Sequence, residues 1–115
     1  MDAPERPAAE RFRWGLLVGE TLRRPRAFQP IGLDVVDVEV IPDLSGAPEN
    51  MWAWLIFSSR ADASAARVRS DEVRTYAAGL LGAAGYPDDA LGTFKTYYTS
   101  TDEIEAGGGR LVFFK

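Results

Sequence analysis

The sequence predicts an α+β fold: a single antiparallel sheet of about four strands, one main helix (about residues 70–85) packed on a face, and an N-terminal helix. Three observations carry this. Val73, Tyr76, Ala77, Leu80, Leu81 and Ala84 recur at i, i+3, i+4, i+7, i+8 and i+11, the stripe of an amphipathic helix. Val36, Val38 and Val40 alternate with Asp37 and Glu39 at the period of a strand. The runs Met51–Ser58 and Thr93–Thr99 are rich in aromatic and β-branched residues. The expected order is α-β-β-α-β-(short α)-β.

Residues 1–7 hold two prolines and mixed charges and read as a flexible tail, leaving 8–115 as one α+β domain. Two separate cores in 115 residues would each be too small to stand without staples. Two patterns compete between Pro7 and Arg24. Trp14, Leu17, Val18, Thr21 and Leu22 repeat at helical spacing, with Arg23 and Arg24 in the last turn and Pro25 as a stop. Phe12, Trp14, Leu16 and Val18 alternate as in a strand, and Gly15 and Gly19 each cost a helix about 1 kcal/mol relative to alanine. The flanks favour the helix.

Leu33–Ile41 reads as a strand, Pro42–Asn50 as a turn or long hairpin loop, and Met51–Ser58 as an antiparallel partner. That second strand is apolar on both faces, the mark of a central or doubly covered strand. Ser59–Arg69 reads as a loop or short helix. Ser70 is expected to cap the main helix, with Asp71 and Glu72 in its first turn. Gly85, Tyr86 and Pro87 are expected to end it. Asp88 and Asp89 suit a turn or the start of a short helix. Ser100 and Glu103 form a capping box for another, closed by Gly107–Gly109. Arg110–Lys115 reads as a final strand. No internal repeat, low-complexity tract or heptad pattern is present.

Composition narrows the chemistry. There is no histidine and no cysteine. The usual proton shuttle, the usual thiolate nucleophile and most zinc, copper and iron ligands are therefore missing. No disulfide can form, the first residues carry no signal-like apolar stretch, and the longest apolar run is Met51–Phe57. A cytoplasmic protein is expected, without membrane association, and the bias to arginine over lysine suggests a bacterial, GC-rich coding source. The net charge of −4 is segregated. Arg6–Arg26 holds six arginines against two acids, whereas Asp34–Glu49 holds five acids and no base. No nucleic-acid partner is expected of such a pattern.

Asp34, Asp37 and Glu39 are the first chemical candidates, since two carboxylates on one strand face can work as an acid–base pair or hold Mg²⁺ or Ca²⁺. No calcium-loop spacing and no partner motif accompany them, and solvated outward-facing strand charges are the favoured explanation of the pattern. The glycine triplet lacks a following Lys-Ser/Thr and reads as a turn rather than a phosphate loop. Arg11, Arg13, Arg23, Arg24 and Arg26 suit a solvated helix face or an anionic contact. The strongest signal is the aromatic excess: Trp52, Trp54, Phe57, Phe94, Tyr97, Tyr98, Phe113 and Phe114 fall on strands of one sheet and on both its faces. Unless both faces are covered, an apolar patch remains for a partner.

The expected function is a small non-catalytic interaction protein. It binds another protein, as an inhibitor, immunity-type factor or accessory subunit, or it self-associates. Trp52, Trp54, Phe57, Tyr97, Tyr98, Phe114, Arg23 and Arg24 are the expected contact residues. No catalytic residue, cofactor or metal is assigned. The alternative is a small-ligand binder, or an enzyme using Asp34, Asp37, Glu39 and Tyr98.

Overall fold

The computed structural model describes residues 8–42 and 47–114, with only the backbone described for 8–11. The expected tail, the middle of the loop after Ile41 and the terminal lysine lie outside the described residues. Among the described residues the fold is α+β, with a three-stranded mixed sheet and six α-helices.

Helix α1 spans Ala8–Leu22, so the helical spacing prevails over the alternation. Val18 and Leu22 are buried while Phe12 and Leu16, the other half of the alternating set, face outward. The connection to the sheet buries Phe28 and is tied to a later helix by Tyr76, whose hydroxyl donates to the Ala27 carbonyl at 2.8 Å.

Strands β1 (Val35–Pro42) and β2 (Met51–Phe57) pair antiparallel, with Val38 opposite Leu55 and Glu39 opposite Trp54. A bulge between Val35 and Asp37 breaks the alternation, and Val36 is exposed while Val38 is buried. From the end of β2 the chain runs through α2 (Arg60–Val68), α3 (Ser70–Ala83) and α4 (Asp88–Leu91) before β3 (Lys95–Ser100). So long a helical crossover brings β3 in parallel to β2, with Tyr97 beside Trp54, and an all-antiparallel sheet does not form. The sheet order is β1-β2-β3.

Two capping expectations divide. Ser100 Oγ accepts from the Glu103 amide at 3.2 Å and starts α5 (Thr101–Ala106). Ser70 does not cap α3. It already lies inside the helix, because α2 runs almost directly into α3 through Arg69. Ser59 caps α2 instead, accepting from the Asp62 amide. At the far end of α3 the Tyr86 amide reaches the Leu81 carbonyl and the Gly85 amide the Gly82 carbonyl, a Schellman closure with Gly85 at φ 102°.

Among the described residues the expected fourth strand does not form. Arg110–Phe113 forms a short helix, α6. Gly108 and Gly109, at φ 99° and 88°, turn the chain back over the sheet, and Phe113 and Phe114 stack on it instead of joining its ladder.

The core lies on the inner face of the sheet. Met51, Ala53, Leu55 and Phe57 of β2 are buried there with Val73, Ala77 and Leu81 of α3 and Ala63 and Ala66 of α2. Tyr86 is also enclosed, tilted against Trp14 at 5.5 Å, and its hydroxyl donates to the Pro48 carbonyl. Burial pushes its phenol pKa up.

Candidate interaction surface

The outer face of the sheet follows from the β2 alternation: residues between the buried ones, Trp52 and Trp54, point the other way. The parallel register sets Tyr97 beside them, with ring centroids 6.3 Å from Trp52 and 5.2 Å from Trp54. Phe113 and Phe114 close on Trp54 from α6, each at 5.6 Å and edge-on. Such T-shaped pairs add about 0.5–1.5 kcal/mol each beyond their buried area.

This cover is partial. Trp54 is half-buried, but Trp52 stays 43% exposed and Tyr97 37%. Leu111, 92% exposed, and Val112 extend the apolar surface along α6. The other expected contact residues are distributed elsewhere. Phe57 is wholly enclosed in the inner core and Phe94 is buried beside Tyr86. Tyr98 is turned inward, its hydroxyl 2.6 Å from Thr96 Oγ1. Burial raises its pKa against the opposing effects of that hydrogen bond and of Arg74.

Arg23 and Arg110 meet on β1. Arg23 donates from Nε and Nη2 to the Val38 carbonyl at 3.0 and 2.7 Å. Arg110 donates from Nη1 to Asp37 Oδ2 and from Nη2 to Glu39 Oε2, both at 2.6 Å. Asp37 and Glu39 are thus paired rather than simply solvated. Burial works against ionising Asp37, but hydrogen bonds from Arg110 and the Val38 amide, with the charges of Arg110 and Arg23, hold its carboxyl below the usual value. Arg24 is exposed and makes no ion pair among the described residues.

A cleft of about 660 Å³ runs along β3, lined by Trp54, Tyr97 and Phe113 and by Arg60 and Arg67 of α2. Glu103 organises its floor. It accepts from Arg67 Nη2 at 3.1 Å, Thr99 Oγ1 at 3.1 Å and Ser100 Oγ at 3.2 Å. Burial again opposes ionisation and these donors outweigh it, so the carboxyl is held below its ordinary value. Arg67 also donates to the Tyr98 carbonyl at 2.8 Å.

Of the residues considered for catalysis, Asp37 and Glu39 come together on Arg110, but Asp34 lines a separate hollow beside Phe28 and Arg24, and Tyr98 lines the large cleft. Among the described residues no three His, Cys, Asp or Glu side chains are placed to share a metal ion, and no helix is long and apolar enough to cross a membrane. Sequence reasoning missed Arg60, Arg67 and Arg110, although it marked Trp54, Tyr97, Tyr98 and Phe113 of the same cleft and the capping-box position of Glu103.

Comparisons with protein-family models, with curated proteins and with solved structures give no significant match.

Proposed function

We propose that this chain is a small non-catalytic binding protein that docks another protein chain through the outer face of its sheet. One observation carries the reading: Trp52 and Tyr97 meet edge to face on that side of the sheet at 6.3 Å and remain substantially exposed. Tryptophan and tyrosine are the residue types that most often dominate binding energy, and Leu111 and Val112 extend the patch. An inhibitor, an immunity-type factor or an accessory subunit would each use such a surface, and self-association is the simplest case.

The test is sedimentation velocity over a wide concentration range, with crosslinking–mass spectrometry on native extract. Wild-type chain is expected to form a complex, with itself or a second protein, whose crosslinks map to β2, β3 and α6. The Trp52→Ala chain is expected to lose it. A chain that stays monomeric and uncrosslinked in both settings would overturn the reading.

The second reading, a small-ligand binder, is favoured by the 660 Å³ cleft, whose size suits a drug-like molecule. A screen of small aromatic acids by thermal shift tests it. Stabilisation abolished by Arg60→Ala supports it, and no stabilisation by any of them counts against it.

A further inference from the structure

We propose that the trough along β3 seats a short, extended, acidic segment of the partner protein, with one apolar side chain of that segment resting on Trp54, Tyr97 and Phe113. The inference rests on the docking reading above and names the chemistry of what docks.

The shape of the trough is the first argument. The 660 Å³ cleft is lined by four successive β3 residues, Thr96–Thr99. A smaller hollow of about 200 Å³ adjoins it, lined by Asp71, Arg74 and Lys95, and shares Ser70, Thr96 and Tyr97 with it. The two form one channel following the strand. The five residues of strand that line it, Lys95–Thr99, extend about 17 Å. That length suits about five residues of extended peptide better than a compact small molecule.

Charge is the second argument. The chain carries −4 overall, yet Arg60, Arg67, Arg74 and Lys95 face the channel against Asp71 and Glu103. Arg67 is already matched by Glu103 at 3.1 Å. Arg60, Arg74 and Lys95 make no ion pair or hydrogen bond through their side chains among the described residues. With Asp71 as the remaining acid, these three cations leave a net excess of two along an aromatic-walled channel, which complements two carboxylates flanking an apolar anchor. A nucleic-acid strand would bring a charge at every step past Glu103, Asp71 and the nearby Asp102 and Glu105, and the channel has too few cations for it.

β3 has a sheet neighbour on one side only, but Arg67 occupies the Tyr98 carbonyl. Side-chain contacts therefore carry the recognition rather than a continued ladder.

The experiment pans a displayed library of random decapeptides against the intact protein and measures the best binder by titration calorimetry and by ¹⁵N–¹H shifts. Selected sequences are expected to place Asp or Glu on both sides of one aromatic or leucine residue and to move the Trp54 indole signal. The double variant Arg60→Glu, Arg74→Glu, checked for folding by circular dichroism, is expected to weaken that peptide about tenfold or more, and raising salt from about 0.05 to 0.5 M to weaken it further. Failure to enrich any sequence, enrichment without acidic bias, or affinity unchanged in the double variant overturns the proposal. So does tighter binding of sodium benzoate or of a ten-residue oligothymidylate at the same residues. Trp52 does not line the channel, which separates the two readings. Association lost in Trp52→Ala but intact in the double variant leaves the docking face standing and sinks the acidic segment alone.

Discussion

Arg110 Nη1 lies 2.6 Å from Asp37 Oδ2, joining the last described helix to the first strand across a separation of 73 residues. The same guanidinium holds Glu39 at 2.6 Å. Both contacts sit at the edge of the outer face, and α6 carries Phe113 and Phe114 onto Trp54 from that anchor. The cover of the sheet is therefore held from two sides, by charge on β1 and by ring stacking on β2. How much of the aromatic face is open depends on both.

Replacing Arg110 by alanine is expected to loosen α6 while leaving the sheet intact. The ion pairs are about 40% exposed and screened by water, so the loss of stability should be only about 1–2 kcal/mol. The larger effect is local. Phe113 and Phe114 lose their tether, and Trp54 is expected to gain accessibility to acrylamide, with a red-shifted emission. Glu39→Gln should show the same change more weakly, because the Asp37 contact remains. Unchanged quenching in Arg110→Ala would mean that ring stacking alone holds the helix.

The two depressed carboxyls set the acid limb of stability. Asp37 and Glu103 both sit below their ordinary values in the folded chain, so folding favours their ionised forms. Their contribution is complete above the unfolded values of about 3.9 and 4.3 and drains away as pH falls through the folded ones. Melting temperature is expected to hold from pH 7 to about 5 and then fall. In Glu103→Gln the fall should be shallower, and the unfolding free energy near pH 7 should be lower than wild type by about 1 kcal/mol or less. An acid limb identical to wild type would remove Glu103 from the account.

Much of this architecture is written in the chain at short range. The stripe from Val73 to Ala84 fixes α3, and Gly85–Tyr86 fixes its end, because both signals act within a few residues. What local patterns miss is set by distant packing. Phe113 and Phe114 carry strand-like propensity, but that preference reflects fit to a packed surface, and here Trp54 supplies the surface without a ladder. The direction of β3 follows from the crossover between Ser58 and Phe94 rather than from anything inside Lys95–Ser100. Val36 is turned out by a bulge that alternation cannot reveal. In the site, Trp52 and Tyr97 are legible from period two. Arg60, Arg67 and Arg74 are not, since only the tertiary fold brings α2 and the start of α3 alongside β3.

Two backbone positions make a matched test of opposite sign. Gly85 closes α3 at φ 102°, a conformation that costs a residue with a Cβ about 1–2 kcal/mol. Gly85→Ala is expected to destabilise the chain by about that amount. Arg26 sits at φ 63° with a side chain that makes no ion pair among the described residues. Arg26→Gly relieves the strain, offset partly by the extra freedom of glycine in the unfolded chain. A gain of a few tenths to about 1 kcal/mol is expected. Urea denaturation of the two variants should move the midpoints in opposite directions with unchanged slopes.

Trp52 and Trp54 lie two residues apart on one face and divide stability from recognition. Trp54 touches Tyr97, Phe113 and Phe114, so Trp54→Ala opens a hole under α6 and should cost about 3 kcal/mol or more. Trp52 has Tyr97 as its ring neighbour and is 43% exposed, so Trp52→Ala should cost about 1 kcal/mol or less. For the proposed docking the order reverses, because Trp52 has the more open ring and Trp54 is largely engaged by Tyr97, Phe113 and Phe114. At temperatures where both variants are folded, Trp52→Ala is expected to weaken association about tenfold or more while its denaturation midpoint stays near wild type. If both variants lose stability and association in step, the exposed ring is part of the fold's own packing and the outer face is no docking surface.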